Sequence, residues 1–202
     1  KNLNLFNMDS LDIDQLFCTI PLNILINILQ PAPPKEIIEI VNQIKFRSVR
    51  LCVITLDQIN FSENASIYFP ESIFPFTRIY EPKNRSEALA PKGKTCIVIE
   101  VPCNSDDTIY QLSNNEFVAQ IKTILIDNNI IDSKKVINST SEKIEYAYPI
   151  LSIRNKNNIK KVFRYLEQFK NLHLLGRSAQ FKYLHTHDLF KDANNQIEKI
   201  IH

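Results

Sequence analysis

The stretch "FRSVRLCVITLD", Phe46–Asp57, decides the fold class. It is rich in Val, Ile, Thr and Phe, contains the longest apolar run in the chain ("LCVITL", Leu51–Leu56), and stops at Asp57, so it reads as a strand. Three segments of the same character follow it: "ASIYFP", "FTRIYEP" and "TCIVIEVPC" (Thr95–Cys103), each bounded by Pro, Asn, Asp or Gly. Upstream, "LFCTIP" (Leu16–Pro21) is a short buried strand ended by Pro21, which cannot donate to a ladder. A short helix, "LNILINIL", comes next. Beyond "QPAPP", the segment "KEIIEIVNQI" puts Ile37, Ile40, Val41 and Ile44 on one helical face. Downstream, "SNNEFVAQIKTILIDNNII" is a helix with Ser113 as N-cap and Glu116 three residues on, the capping-box pattern. "EKIEYAYPI" is a strand, "NNIKKVFRYLEQF" an amphipathic helix, "LHLLG" a strand and "HDLFKDANNQIEKIIH" a closing helix. Strands in succession with interspersed helices predict an α+β fold with a mixed, largely antiparallel sheet and flanking helices.

Composition narrows the function classes. The chain has 202 residues, 44% hydrophobic and 23% charged, enough to bury a core. A formal net charge of +2 is too small for a general nucleic-acid binder, so no nucleic-acid partner is expected. No apolar run approaches the ~18 residues of a membrane span. Cys18, Cys52, Cys96 and Cys103 lie in or beside apolar runs without a C-x-x-C pair and read as reduced packing residues of a cytoplasmic protein. Asn64, Asn84 and Asn138 match the N-x-[ST] pattern by chance in an Asn-rich chain. The sequence begins without Met and without a targeting segment, and is expected to be a piece of a longer protein.

Four places carry chemistry. Only two glycines occur, and one, Gly176, ends an apolar run and is followed by Arg177 in "NLHLLGRSAQFKYLHTHDLF" (Asn171–Phe190). A glycine where a strand runs out suits close backbone approach by a ligand, and the following helix could aim its N–H groups at an anion; a plain strand-to-helix turn is the alternative. In "FPFTRIYEPKN", Arg78 and Tyr80 share one face of a strand, with Glu81 and Lys83 across the pleat and beyond Pro82. A cation flanked by aromatics suits a diphosphate or carboxylate, the alternative being an edge strand with solvated charges. In "EYAYPI", Tyr146 and Tyr148 share a face and either cover a ligand or pack. His185 and His187 form H-x-H, but residues two apart do not face each other on a helix, so no metal is expected and Tyr183, His185 and His187 read as a polar rim.

Taken in order, "LFCTIP", "FRSVRLCVITLD", "IYFPESIFPFTRIYEPKN", "APKGKTCIVIEVPC", "EYAYPI" and "LHLLGRSAQFKY" resemble the C-terminal half of the flavin-containing amine oxidoreductase superfamily. The branches in view are the protoporphyrinogen-oxidase-like proteins and UDP-galactopyranose mutase, and the similarity runs over about residues 16–195. The resemblance implies three parts. Residues 1–45 leave an FAD domain, 46–170 form a substrate-binding sheet domain with helices, and 171–202 return to the FAD domain. It implies FAD as cofactor, contacted here by Gly176 and Arg177, and a missing N-terminal FAD-binding domain. It implies a small-molecule substrate, anionic or a nucleotide sugar, held by Arg78, Tyr148, Tyr183 and His185, and it names no catalytic residue.

The departures are specific. His185 stands where the mutase has Asp two residues beyond its tyrosine, Thr186-His187 replaces its Met-Asp, and G-x-G-x-x-G is absent from the sequence. The chain alone is therefore expected to be inactive. The leading expectation is the substrate-binding portion of an FAD-dependent oxidoreductase. A mutase-like isomerase using reduced flavin is the alternative, and a non-catalytic binding module the second alternative.

Overall fold

The computed structural model describes residues 2–3 and 11–201. The chain groups into two compact units, one of residues 1–46 and 148–202, the other of residues 47–147.

The second unit is built on the deciding strand. Five strands form one sheet: β4 (Phe46–Leu56), β5 (Ser66–Tyr68), β6 (Arg78–Tyr80), β7 (Thr95–Cys103) and β8 (Val136–Pro149), in the order β5-β6-β7-β4-β8. The β5–β6, β6–β7 and β4–β7 pairs are antiparallel. So is β4 with β8, since Asp57 N–H bonds Lys135 O near one end and Ser48 Oγ bonds Glu145 O near the other. The short helix α3 (Thr108–Gln111) and the long helix α4 (Asn114–Asp127) follow β7. The period-two pleat puts Cys52, Ile54 and Leu56 of β4 with Ile97, Ile99 and Val101 of β7, and they meet Phe117, Ile121 and Leu125 of α4 in one core. The capping box forms as the sequence predicts: Ser113 Oγ accepts Glu116 N–H at 3.3 Å, and Glu116 Oε2 accepts Ser113 N–H at 2.9 Å.

The first unit holds β1 (Asn2–Leu3) antiparallel to β2 (Leu11–Asp12), and β3 (Leu16–Cys18) parallel to β9 (Leu172–Leu174). Its helices are α1 (Leu22–Ile28), α2 (Lys35–Gln43), α5 (Lys156–Leu166), α6 (Gly176–Gln180) and α7 (Thr186–Ile201). Ile37, Ile40, Val41 and Ile44 are buried as predicted, packed with Leu22, Leu25, Val162 and Leu166. This packing draws the second boundary at 147/148, whereas the sequence reading set it at 170. Val162 and Leu166 bury α5 in the core of α1 and α2, so α5 belongs with those helices rather than with the sheet. The closing helix is present through Ile201, and His202 lies outside the described residues, as do the first ten residues apart from Asn2 and Leu3.

The fold class is as expected: α+β, with an antiparallel five-stranded sheet. The short helix α3 has no sequence counterpart, because it is one turn whose formation depends on tertiary partners more than on its own residues, whereas α6 is the helix expected after Gly176. No helix among the described residues is long and apolar enough to cross a membrane.

Candidate functional site

Gly176 opens α6 directly after β9, at φ +81°. That left-handed conformation is what requires glycine there, and a Cβ built on it would meet nothing within 4 Å. The chain itself therefore does not crowd this backbone. The one-turn α6 ends at Phe181, a bulky residue at φ 46°. Such a conformation is costly for Phe, and it is held because the ring is buried, edge-on to Phe46 at 5.2 Å.

This turn brings several predicted residues together within the first unit. The Arg177 guanidinium donates through Nε to Leu184 O at 2.5 Å, and its carbon lies 5.3 Å from the Tyr183 ring and 5.9 Å from the Tyr148 ring. The two tyrosine rings are 5.9 Å apart, and Tyr183 meets His185 edge to face at 5.8 Å. His185 stacks on His187 at 5.7 Å with planes 4° apart. The sequence reading had denied these histidines a common direction. That holds only where a helix runs through both, and α7 begins at Thr186, so His185 lies outside it and its ring is not held to the helical direction. The result is a ladder of four rings with one cation beside its first two. Tyr183 is 56% exposed, so the ladder presents a polar, aromatic surface to solvent. No group of three or more metal-ligating side chains occurs among the described residues.

Arg78 belongs to the sheet unit, in different company. Register places it opposite Glu100 on β7 and Tyr68 on β5. Its Nε and Nη2 donate to the two Glu100 carboxylate oxygens at 2.9 and 2.5 Å, a side-on bidentate pair. The bond to Glu100 holds the guanidinium pKa above its ordinary value, with a further hydrogen bond to the Tyr68 side chain. Arg78 also sits over the Tyr80 ring at 5.1 Å, and burial pushes the Tyr80 phenol up. The strand is not an edge: β5 and β7 flank β6, so the edge-strand alternative falls.

Glu81 and Lys83, which the sequence set across the pleat as charges, instead anchor the loop that follows β4. The Glu81 carboxylate is 1% exposed and accepts N–H groups from Phe61 and Ser62 at 2.9 Å, along with the Thr95 hydroxyl. Lys83 Nζ donates to Ile59 O, and Asn84 Nδ2 donates to Ser62 O and Asn64 O. The tetrapeptide "EPKN" thus satisfies both polarities of a loop backbone that no strand pairs. Buried polar groups need partners, and that rule explains this motif without a ligand.

Arg50 escaped the sequence reading altogether. It lies on the core face of β4, fully buried, 3.9 Å from the centre of the Phe117 ring. Its Nη1 donates to Ile109 O and Leu112 O, and its Nη2 to Asn114 Oδ1 and Ser141 Oγ. Desolvation lowers its pKa. The "RSVR" beside an apolar run was the available signal, but only the end of α3 explains why a cation sits there.

Comparison with known proteins supports the expected resemblance. The family model described as UDP-galactopyranose mutase matches residues 34–137. A crystal structure of reduced UDP-galactopyranose mutase superposes with TM-score 0.74 at 20% identity, over 89% of this chain and 38% of that one. A protein assigned as a protoporphyrinogen oxidase from Exiguobacterium sp. 255-15 superposes with TM-score 0.68 at 16% identity, over 95% of this chain and 42% of that one. A Pyrococcus furiosus protein superposes with TM-score 0.54 at 9% identity, over 84% of this chain and 36% of that one. No curated protein matches the sequence. The chain thus spans about two-fifths of the length of the solved structures it resembles.

Proposed function

The chain belongs to the UDP-galactopyranose mutase family, and from that premise we propose that it is the substrate-binding portion, with the flavin-contacting segment, of an FAD-dependent oxidoreductase. The single observation that carries the reading is the arrangement after β9: a left-handed glycine, then Arg177 beside Tyr148 and Tyr183. These residues fit the edge of a flavin ring system. The backbone at Gly176 is unobstructed, the guanidinium can offset negative charge, and the phenols can cover an aromatic face. The dinucleotide cradle is not in this sequence, which has two glycines and no G-x-G-x-x-G. Flavin, when bound, supplies hydride acceptance from a substrate C–H or C–N centre, or, when reduced, a nucleophilic nitrogen for a sugar's anomeric carbon.

The chain's own residues then bind and orient. Tyr148, Tyr183 and His185 form the rim against which a small anionic molecule rests, and Arg177 holds charge beside it. Arg78, fixed by Glu100, shapes a second patch in the sheet unit. The whole protein is expected to be yellow, to lose its absorbance near 450 nm on anaerobic reduction, and to lose flavin affinity in Arg177→Gln. A colourless whole protein, with no saturable flavin binding, would overturn the reading in favour of a non-catalytic binding module.

The family match favours a second reading, a mutase acting on a nucleotide sugar. Against it stand His185 and Thr186-His187, which replace the residues the mutase carries there. Incubating the reduced whole protein with UDP-galactopyranose separates the two, since a furanose product would establish the mutase and its absence would remove it.

A further inference from the structure

We propose that Arg85 is the oxyanion-binding cation of the sheet unit, held ready over Tyr80, while Arg78 is a strut whose charge is already spent on Glu100. The inference rests on the reading above only in taking the substrate to carry an anionic group. Two guanidinium groups lie near the Tyr80 ring, Arg78 at 5.1 Å and Arg85 at 5.8 Å from its centre. The two are not equivalent. Arg78 presents its chelating edge to both oxygens of Glu100 and is also bonded by the Tyr68 side chain. An incoming phosphate or carboxylate would have to displace a bidentate, partly buried carboxylate to reach that edge. Arg85 has no carboxylate within ion-pair distance among the described residues, and it is exposed.

Position distinguishes Arg85 from an ordinary solvated arginine. It follows the "EPKN" clamp, so Asn84 is tied to Ser62 O and Asn64 O, and the Arg85 N–H itself bonds Pro82 O at 2.9 Å. Its backbone is therefore held in place, and the guanidinium lies within cation–π range of the Tyr80 ring, which lowers the entropy lost on meeting an anion. Lys83, the nearest other cation in sequence, is occupied by Ile59 O. With Glu100 neutralising Arg78, the patch carries a net charge of one positive, and Arg85 is the part of it open to a ligand.

The test is calorimetric titration of this chain, free of flavin, with inorganic pyrophosphate and separately with benzoate at low salt. Saturable binding of either probe is expected, pyrophosphate marking a phosphate group and benzoate a carboxylate. Arg85→Gln should weaken it about tenfold, the scale of one charge-assisted bond. Arg85→Lys should fall between, having charge without the planar bidentate fork, and Lys134→Gln, an exposed charge-matched control, should change nothing. No saturable binding of either probe, an unaffected R85Q, or equal losses in R85Q and K134Q would each overturn the proposal. Flavin content and turnover are not read, so this outcome is independent of the test of the flavoenzyme reading.

Discussion

Replacing Arg50 by methionine offers the sharpest check on how the sheet unit holds together. Methionine keeps an unbranched apolar stem over Phe117 but removes four hydrogen bonds, to Ile109 O, Leu112 O, Asn114 Oδ1 and Ser141 Oγ. The two carbonyls sit at the end of α3 and lose their only side-chain cap among the described bonds. Breaking a buried charged network of this kind costs about 3–5 kcal/mol. Part of that is offset, because the buried guanidinium has no carboxylate partner and its Nε has no hydrogen-bond partner among the described residues. A net loss of about 3 kcal/mol follows. The assay is native-state labelling of Cys52, which is fully buried two residues along the same strand and whose thiol burial pushes up to about 12. In the fast-reclosing regime its labelling rate follows the opening equilibrium of this unit, so about 3 kcal/mol should appear as roughly a hundredfold acceleration. An acceleration below threefold would refute the reasoning and show that the cost of burying the cation cancels its bonds.

Three further outcomes follow from the same geometry. Ser113→Ala should destabilise α4 by about 1 kcal/mol in urea unfolding. Hydrogen bonds from Ser113 hold the Glu116 carboxyl below its ordinary value, so its contribution is complete above the unfolded carboxylate pKa and is lost as pH falls through the folded one. The wild-type minus Ser113→Ala difference should therefore shrink on acidification below about pH 4.5, and a pH-independent difference would contradict the capping box. Gly176→Ala should cost about 1–2 kcal/mol in thermal melts from the left-handed φ alone, because nothing lies near enough to clash. An unchanged melt would mean that the turn relaxes freely. Glu81→Gln should release the loop after β4, seen as faster chymotryptic cleavage at Phe61, since an amide cannot accept as many N–H bonds as the buried carboxylate. Unaltered cleavage would show that Lys83 and Asn84 hold the loop unaided.

What the sequence determined by itself was local. β-branched and aromatic runs specified four of the sheet's five strands, the Ile37/Ile40/Val41/Ile44 spacing specified the buried face of α2, and Ser113 with Glu116 specified where α4 begins, because each signal is complete within a few residues. Arg177, Tyr148 and Tyr183 were legible as candidates by residue type. That they meet was decided by tertiary structure, which folds residues 148 and 177–187 into one unit. The same holds for charge. Arg78, Glu81 and Lys83 looked alike as surface cations and anions on one strand, yet one pairs across the sheet with Glu100 while the other two satisfy a loop backbone. A side chain's partner is set by which strand lies beside it, and that neighbour is separated by 22 residues for Arg78 and by as many as 91 for Arg50. No local pattern encodes such distances. Only the closed sheet, with its helix packed on one face, assigns each charge its partner.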